Sequence, residues 1–342
     1  MRFLFTLLAL FGVTSAVIDT QCPIAPAVAA DRRNRTDTFR LVQYNVEWLF
    51  TETYSNCPGT GCSWENATEA EIHLETVAAV LTDLDADYVN FCEIEGCDEL
   101  NLLLDIIDPK REKYAPYLIK GTDSATGQNV GALTRVDPLS DYIRTEVRST
   151  YPLEGSTCGY TGAPGSTGVS KHYSSTFLLG DIRVAIIGAH LIAYPTDKTR
   201  CATREGQAQI LQGVIIDRIR SGYEVIMIGD FNDFDREVPD INHSMPTSRV
   251  LEILKGLEGD FAGEYMLFSA GEKVEPEERY TEWWDQNNDC IGELKEFSTI
   301  DHILMTPRLY SSVSGVSIYH KYGAACGNYE SDHYPVVVDF TF

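Results

Sequence analysis

Five apolar runs of the sequence end at a polar residue able to do chemistry, and a sixth run is directly preceded by such residues. LVQYN stops at Asn45, YVNFCE at Glu93, VAIIGAH at His190, VIMIGDFN at Asp230 and Asn232, and STIDH at Asp301, while Ser331-Asp332-His333 directly precedes YPVVVDF. A carboxylate or imidazole beside a core strand is costly to bury without partners. So many in one chain are expected to converge and to satisfy one another or a metal. Two imidazoles suit acid–base work, and clustered carboxylates suit a hard, oxygen-loving divalent cation.

The elements that must position these residues alternate along one continuous pattern. Strands are expected at 39–49, 87–95, 130–135, 174–180, 182–192 and 224–232, then in ERYTEWW, STIDHILM, VSGVSIY and YPVVVDF. Helical spacing marks 71–85, through Val77, Val80, Leu81 and Leu84, then 98–107, 204–221 and 247–257. Such interleaving predicts sheets covered by helices in one domain. Residues 151–172 and 235–296 read as surface excursions, and no repeat or low-complexity tract interrupts the chain.

Residues 1–16 have the form of a secretory signal: Arg2, a short apolar run, and small residues at Thr14-Ser15-Ala16. That run is too short to span a bilayer, and no second one exists, so no stable membrane association is expected. Residues 17–38 read as a flexible lead-in. Nine cysteines, with the signal, predict an oxidising compartment and several disulfides. Cys57/Cys62 and Cys92/Cys97 are spaced for local bridges, Cys201 for one that pins its loop, and Cys22 is the expected odd cysteine. Asn34, Asn66 and Asn242 lie in glycosylation triplets. The formal net charge of −24 disfavours charge-driven binding to polyanions unless a cation or a local basic patch intervenes. Lys198, Arg200 and Arg204, shortly after His190, form one such patch, and Arg200 and Arg204 are candidate substrate contacts.

QYNVEW, the Glu93 of FCEIEG, GAHLIA, IGDFND, IDHIL and SDHYPV occur in this order and resemble the motifs of the endonuclease/exonuclease/phosphatase superfamily, to which deoxyribonuclease I belongs. The similarity covers roughly 39–342, the expected catalytic domain. It implies an α+β fold, a deoxyribonuclease I-like four-layer α/β/β/α sandwich with the active site at one edge of both sheets. It also implies a secreted, divalent-metal-dependent phosphodiesterase, using Mg²⁺ or Mn²⁺ with room for structural Ca²⁺. Glu93 would be the main metal ligand, supported by Asn45 and Asp332. His333 would be general base, its tautomer fixed by Asp301, and His190 the second acid/base. Asp230 and Asn232 would position the nucleophile and a phosphoryl oxygen, and Arg135 would contact phosphate. A carboxylate partner for the family's counterpart of His190 has no clear match; Asp123 and Asn129 are the candidates.

The motif pattern separates some functions. Thr299-Ile300-Asp301-His302 stands where the family's inositol phosphatases carry Trp-Cys-Asp-Arg. The RYT…STIDHIL arrangement resembles secreted nucleases, so a nucleic-acid substrate, DNA or else RNA, and a monomeric enzyme are expected. A sphingomyelinase-type phosphodiesterase shares the His and Asp set and is the alternative. A non-catalytic binding module would have lost a core residue, and none is missing. His73, His172, His243 and His320 carry no motif. Trp283 and Trp284 read as core or rim packing rather than a base-stacking platform.

Overall fold

The computed structural model describes residues 22–51, 63–322 and 330–342. The signal at 1–16, Cys57, Cys62 and Cys326 lie outside the described residues. One six-stranded sheet contains β1 (Thr38–Leu49), β2 (Tyr88–Ile94), β3 (Ala115–Leu118), β4 (Asn129–Thr134), β14 (Val313–Ile318) and β15 (Val336–Thr341) in the order β14-β15-β1-β2-β4-β3. Ribbons β5 (Ser149–Tyr151) with β6 (Gly165–Thr167), and β11 (Glu282–Trp283) with β12 (Phe297–Ser298), lie outside the main sheets. The second sheet has five strands, β7 (His172–Leu179), β8 (Ile182–His190), β9 (Glu224–Asp230), β10 (Phe268–Ser269) and β13 (Asp301–Met305), in the order β10-β13-β9-β8-β7.

Three buried clusters correspond to three interfaces between four layers. Successive side chains of a strand point to opposite faces. Accordingly Leu41, Tyr88 and Cys92 join the cluster between the sheets, with Ile186, Ile228 and Ile303 from the other sheet. Val42, Val89 and Phe91 face outward onto α1 (Ala67–Leu84) and α2 (Cys97–Ile107), through Val77, Leu81, Leu100 and Leu104. Ala185, Ile187 and Met227 likewise pack on α3 (Lys198–Arg220) and α4 (Val250–Leu254). This is the expected α/β/β/α sandwich. The helix expected over 247–257 shrinks to five residues, because Ser248 binds the Asp233 carboxylate and Gly256 turns the chain at φ +81.

The cysteines pair differently from expectation. Cys22 is bonded to Cys97, so it is not the odd one, and Cys92 is free. Close spacing misleads here because Cys92 points into the inter-sheet core while Cys97 starts a helix on the outer face. Cys158–Cys201 does pin the start of α3. The lead-in is not loose from residue 22 onward. Besides the disulfide, Arg32 forms a two-pronged ion pair with Asp137, and Asp31 bridges Val136.

Cys22–Cys97 closes a separation of 75 residues. Cys22→Ser with Cys97→Ser is therefore expected to lower unfolding free energy by about 2–4 kcal/mol, read from urea denaturation. An unchanged midpoint would show that this disulfide contributes nothing to stability.

Candidate active site

Strand direction brings the chemistry together. β8 and β9 run parallel with His190 opposite Asp230, and antiparallel β13 begins with Asp301 opposite the same Asp230. In the other sheet β1 and β2 run parallel with Asn45 opposite Cys92, so Glu93 lies one residue further on. A bulge there puts Glu93 at φ +68. His333 sits just before β15, which pairs antiparallel with β1. Carboxyl ends of parallel strands and amino ends of antiparallel ones thus share a single edge.

At that edge Asn45 is the bracket. Its Nδ2 donates to Glu93 Oε1 at 3.1 Å and to Asp230 Oδ2 at 2.9 Å, and lies 3.4 Å from His333 Nε2. Its Oδ1 accepts from the Glu47 amide at 3.1 Å. This makes Asn45 an organiser of the carboxylates, with both ends of its amide engaged. His333 Nδ1 is 2.7 Å from Asp301 Oδ2, and Gln43 Nε2 donates to Asp301 Oδ1 at 2.9 Å. The Asp301–His333 geometry is the one expected to fix a tautomer. His190 Nε2 lies 3.5 Å from Asp230 Oδ2 and 3.8 Å from Glu93 Oε1. Asn232 donates its backbone N–H to Asp230 Oδ1 and its side-chain amide to the Leu191 carbonyl. Asp332 is one-third exposed, with Oδ1 3.8 Å from His333 Nε2.

The two histidines are driven in opposite directions. Burial, then the nearby Lys171 and His333, hold the pKa of His190 well below the ordinary histidine value. Burial also disfavours a charged His333, but Asp301 and Asp332 outweigh it and raise its pKa well above that value. Burial and the neighbouring Asp301 and Glu93 carboxylates push Asp230 up to about 8. Burial and Glu47 raise Asp332 strongly as well.

Two groups of ligand atoms lie within 4.8 Å of one another: Glu93, His190 and Asp230, and Asp230, Asp301 and His333. The donors are mostly carboxylate oxygens, with no thiolate among them. That set fits a hard divalent cation such as Mg²⁺ or Mn²⁺ rather than structural zinc.

Several expected residues stand elsewhere or do other work. Arg135 follows β4, which is antiparallel to β2, so it lies at the opposite edge from Glu93. There it pairs with Asp85 and Asp87 and stacks on Tyr114. Arg204 is fully buried on Asp233 and on the carbonyls of Ile192, Tyr194 and Pro195. It therefore shapes the loop after His190 and does not reach substrate. Arg200 is half-buried over the exposed Tyr194 ring, at 4.5 Å, and makes no salt bridge among the described residues. Neither Asp123 nor Asn129 orients His190. Asp123 faces Lys171 at 3.6 Å, and Asn129 holds the backbone of Gly121 and Glu95. His190 Nδ1 is buried with no hydrogen-bond partner among the described residues.

Other residues join the site without having been foreseen. Glu47 takes the Asp332 amide at 2.9 Å; its place two residues after Asn45, on the same strand, was a usable signal. Gln128 donates to Glu93 Oε2 at 2.7 Å and is itself held by buried Lys171 at 3.1 Å. Glu282 reaches the site through a bridge between its backbone and that of His333, from a segment that reads as a surface excursion. Trp283 is buried, as expected of packing, whereas Trp284 is 63% exposed.

No family model and no curated protein matches the sequence. Solved structures match the fold. An endonuclease/exonuclease/phosphatase family protein from Leptotrichia buccalis superposes with a TM-score of 0.54 at 13% identity, covering 89% of this chain and 100% of the other. A protein of the same family from Bacteroides thetaiotaomicron gives 0.52 at 16% identity, covering 89% and 98%. The 3′ phosphatase NExo from Neisseria, solved bound to product DNA hairpin, gives 0.53 at 14% identity, covering 89% and 100%. The fold is that of the endonuclease/exonuclease/phosphatase proteins. Within this endonuclease/exonuclease/phosphatase fold, Asn45, Glu93, His190, Asp230, Asn232, Asp301, Asp332 and His333 gather at the common sheet edge, whereas Arg135 and Arg204 do not.

Two outcomes are expected. Mg²⁺ should raise the melting temperature of the protein by mass action, about 2.7 kcal/mol of stabilisation at a concentration one hundred times Kd, and Glu93→Gln should remove most of that rise. Arg135→Gln should cost about 1–2 kcal/mol in urea denaturation, the lower range because its partner Asp85 is largely exposed, and leave turnover unchanged.

Proposed function

We propose that the protein is a secreted, divalent-metal-dependent phosphodiesterase that cleaves nucleic acid internally, DNA in the first instance and RNA as the alternative, acting as a monomer. The observation that carries this reading is the convergence of His190, His333, Glu93, Asp230 and Asp301 on one edge, within reach of a common cation position. The Cys22–Cys97 and Cys158–Cys201 bridges and the form of residues 1–16 support export to an oxidising compartment.

In the proposed reaction His333, oriented by Asp301, takes the proton of the attacking water. Asp230 and Asn232 align that water and a phosphoryl oxygen. His190, facing Asp230 and Glu93, serves the leaving oxygen. Glu93, with Asp332 and Glu47 beside it, would hold the cation. When bound, that cation offsets carboxylate charge, polarises the phosphoryl oxygen and lowers the proton affinity that the carboxylates confer on His333.

A second reading is favoured by one feature. Trp284, Ile291 and Leu294 are 63%, 64% and 56% exposed on the segment that follows Glu282, beside the site. An exposed apolar protrusion next to such a site suits a lipid phosphodiester, as in a sphingomyelinase.

Incubation with plasmid DNA, RNA and sphingomyelin vesicles, each with Mg²⁺ and with chelator, separates these readings. Metal-dependent nicking is expected. His333→Ala should abolish it to within detection, and His190→Ala should slow it by about 10²-fold or more. Choline-phosphate release with intact plasmid would establish the lipid reading instead, and full activity in chelator would contradict both.

A further inference from the structure

β7 is an edge strand of the five-stranded sheet, and its first residues lie beside the end of β8. Residues from 122, 144–148 and 168–170 enclose a groove there of about 220 Å³. It shares Arg144 with a neighbouring hollow of about 490 Å³ that Arg218 also lines.

Arg144 is an incompletely satisfied buried cation. Its side chain is 3% exposed, yet its hydrogen bonds are long: 3.5 Å to the Lys120 carbonyl, 3.3 Å to Thr122 Oγ1 and 3.4 Å to the Val169 carbonyl. Its Nε is buried with no partner, and its one carboxylate, Glu146, is half exposed. Arg148, exposed at the rim, is held only by Ser166 and makes no salt bridge among the described residues. Arg218 donates to Ser174. Three guanidinium groups against Glu146 and Asp217 reverse locally the sign of a chain whose net charge is −24. The groove also adjoins the site. Thr122 donates its amide to the Ser170 carbonyl, and the next carbonyl, that of Lys171, accepts from the His190 amide.

We infer that Arg144, Arg148 and the Thr122 hydroxyl form a second phosphate subsite, which takes a backbone phosphate flanking the scissile one on a nucleic-acid strand. The inference rests on the nuclease reading and deepens it. Guanidinium groups match phosphate oxygens in geometry, and a contact of this kind positions a strand without reading its bases. It also gives an acidic protein a local grip on a polyanion. A substrate with a single phosphodiester has nothing to place there.

The test compares wild type with Arg148→Gln, Glu146→Gln and Arg144→Gln. Hydrolysis is measured on bis(p-nitrophenyl) phosphate and on an oligonucleotide. Oligonucleotide binding is measured separately by fluorescence anisotropy over a range of salt. Arg148→Gln should weaken oligonucleotide binding roughly threefold to tenfold and make its salt dependence shallower by about one in the log–log slope. Its kcat and KM on the small diester should not change. Glu146→Gln should tighten oligonucleotide binding. Arg144→Gln should act as Arg148→Gln does, more strongly; because Arg144 is buried, the two surface variants decide the matter if this one fails to fold. Equal effects on both substrates, or unaltered binding and salt slope in Arg148→Gln and Glu146→Gln, would overturn the subsite. Binding without turnover reads the subsite even if no hydrolysis is found, so absence of activity would count against the nuclease reading alone.

Discussion

The amide of Asn45 stands between two carboxylates from different sheets, and the rest of the site depends on that contact. Glu93 belongs to the six-stranded sheet and Asp230 to the five-stranded one, and one NH₂ group donates to both. Buried like charges repel and lose hydration, a cost of several kcal/mol per ion when uncompensated. Donors reduce it one by one: Gln43 on Asp301, Gln128 on Glu93, and the Asn232 amide on Asp230. What they leave is an excess of negative charge, which adds to burial in raising the pKa values of Asp230 and Asp332. A divalent cation relieves that excess. Backbone strain is placed at the same edge, with Glu47, Glu93 and Asn232 all at positive φ. Such conformations persist only where surrounding contacts enforce them.

Much of this edge was legible in the sequence, because an apolar strand that ends in an ionisable residue leaves a recognisable mark. His190, Asp230 and Glu93 carry it, and Asp301 and His333 carry its mirror image, an ionisable residue at or just before the start of a strand. What was not legible depended on direction and on distant contacts. Arg135 also ends a strand, but β4 runs against β2, and nothing local to GALTR records that. Arg204 looks like a surface base on a polar helix, and only the fold reveals the Asp233 carboxylate and four carbonyls around it. Cys22 lies ahead of the first strand, where no local pattern reveals a bond to Cys97. Glu282 escaped notice because it sits in a long irregular segment, and the two-stranded ribbon it belongs to is too short to show a period. Periodicity in the strands and helices predicts sheets covered by helices, and the four-layer order came from the resemblance of the motifs to the superfamily.

The surface sets a constraint on function that the site alone does not. A chain this acidic does not gather nucleic acid by long-range attraction. Contact must come from a few local cations, and the described residues offer little near the site: Arg200 over Tyr194, and the groups around Arg144. The cation expected at the carboxylates adds to them. On the proposed nuclease reading, substrate affinity and catalysis would both be coupled to metal, and activity would fall with the cation for two reasons rather than one.

The most direct measurement is a crystal structure grown with Mn²⁺, with data collected to give the anomalous difference map. The account predicts an anomalous peak within bonding distance of Glu93, at the edge where Asn45, Asp230, His190 and His333 meet. A map with no peak there, or a structure in which the two imidazoles lie apart and Glu93 faces away from them, would contradict it.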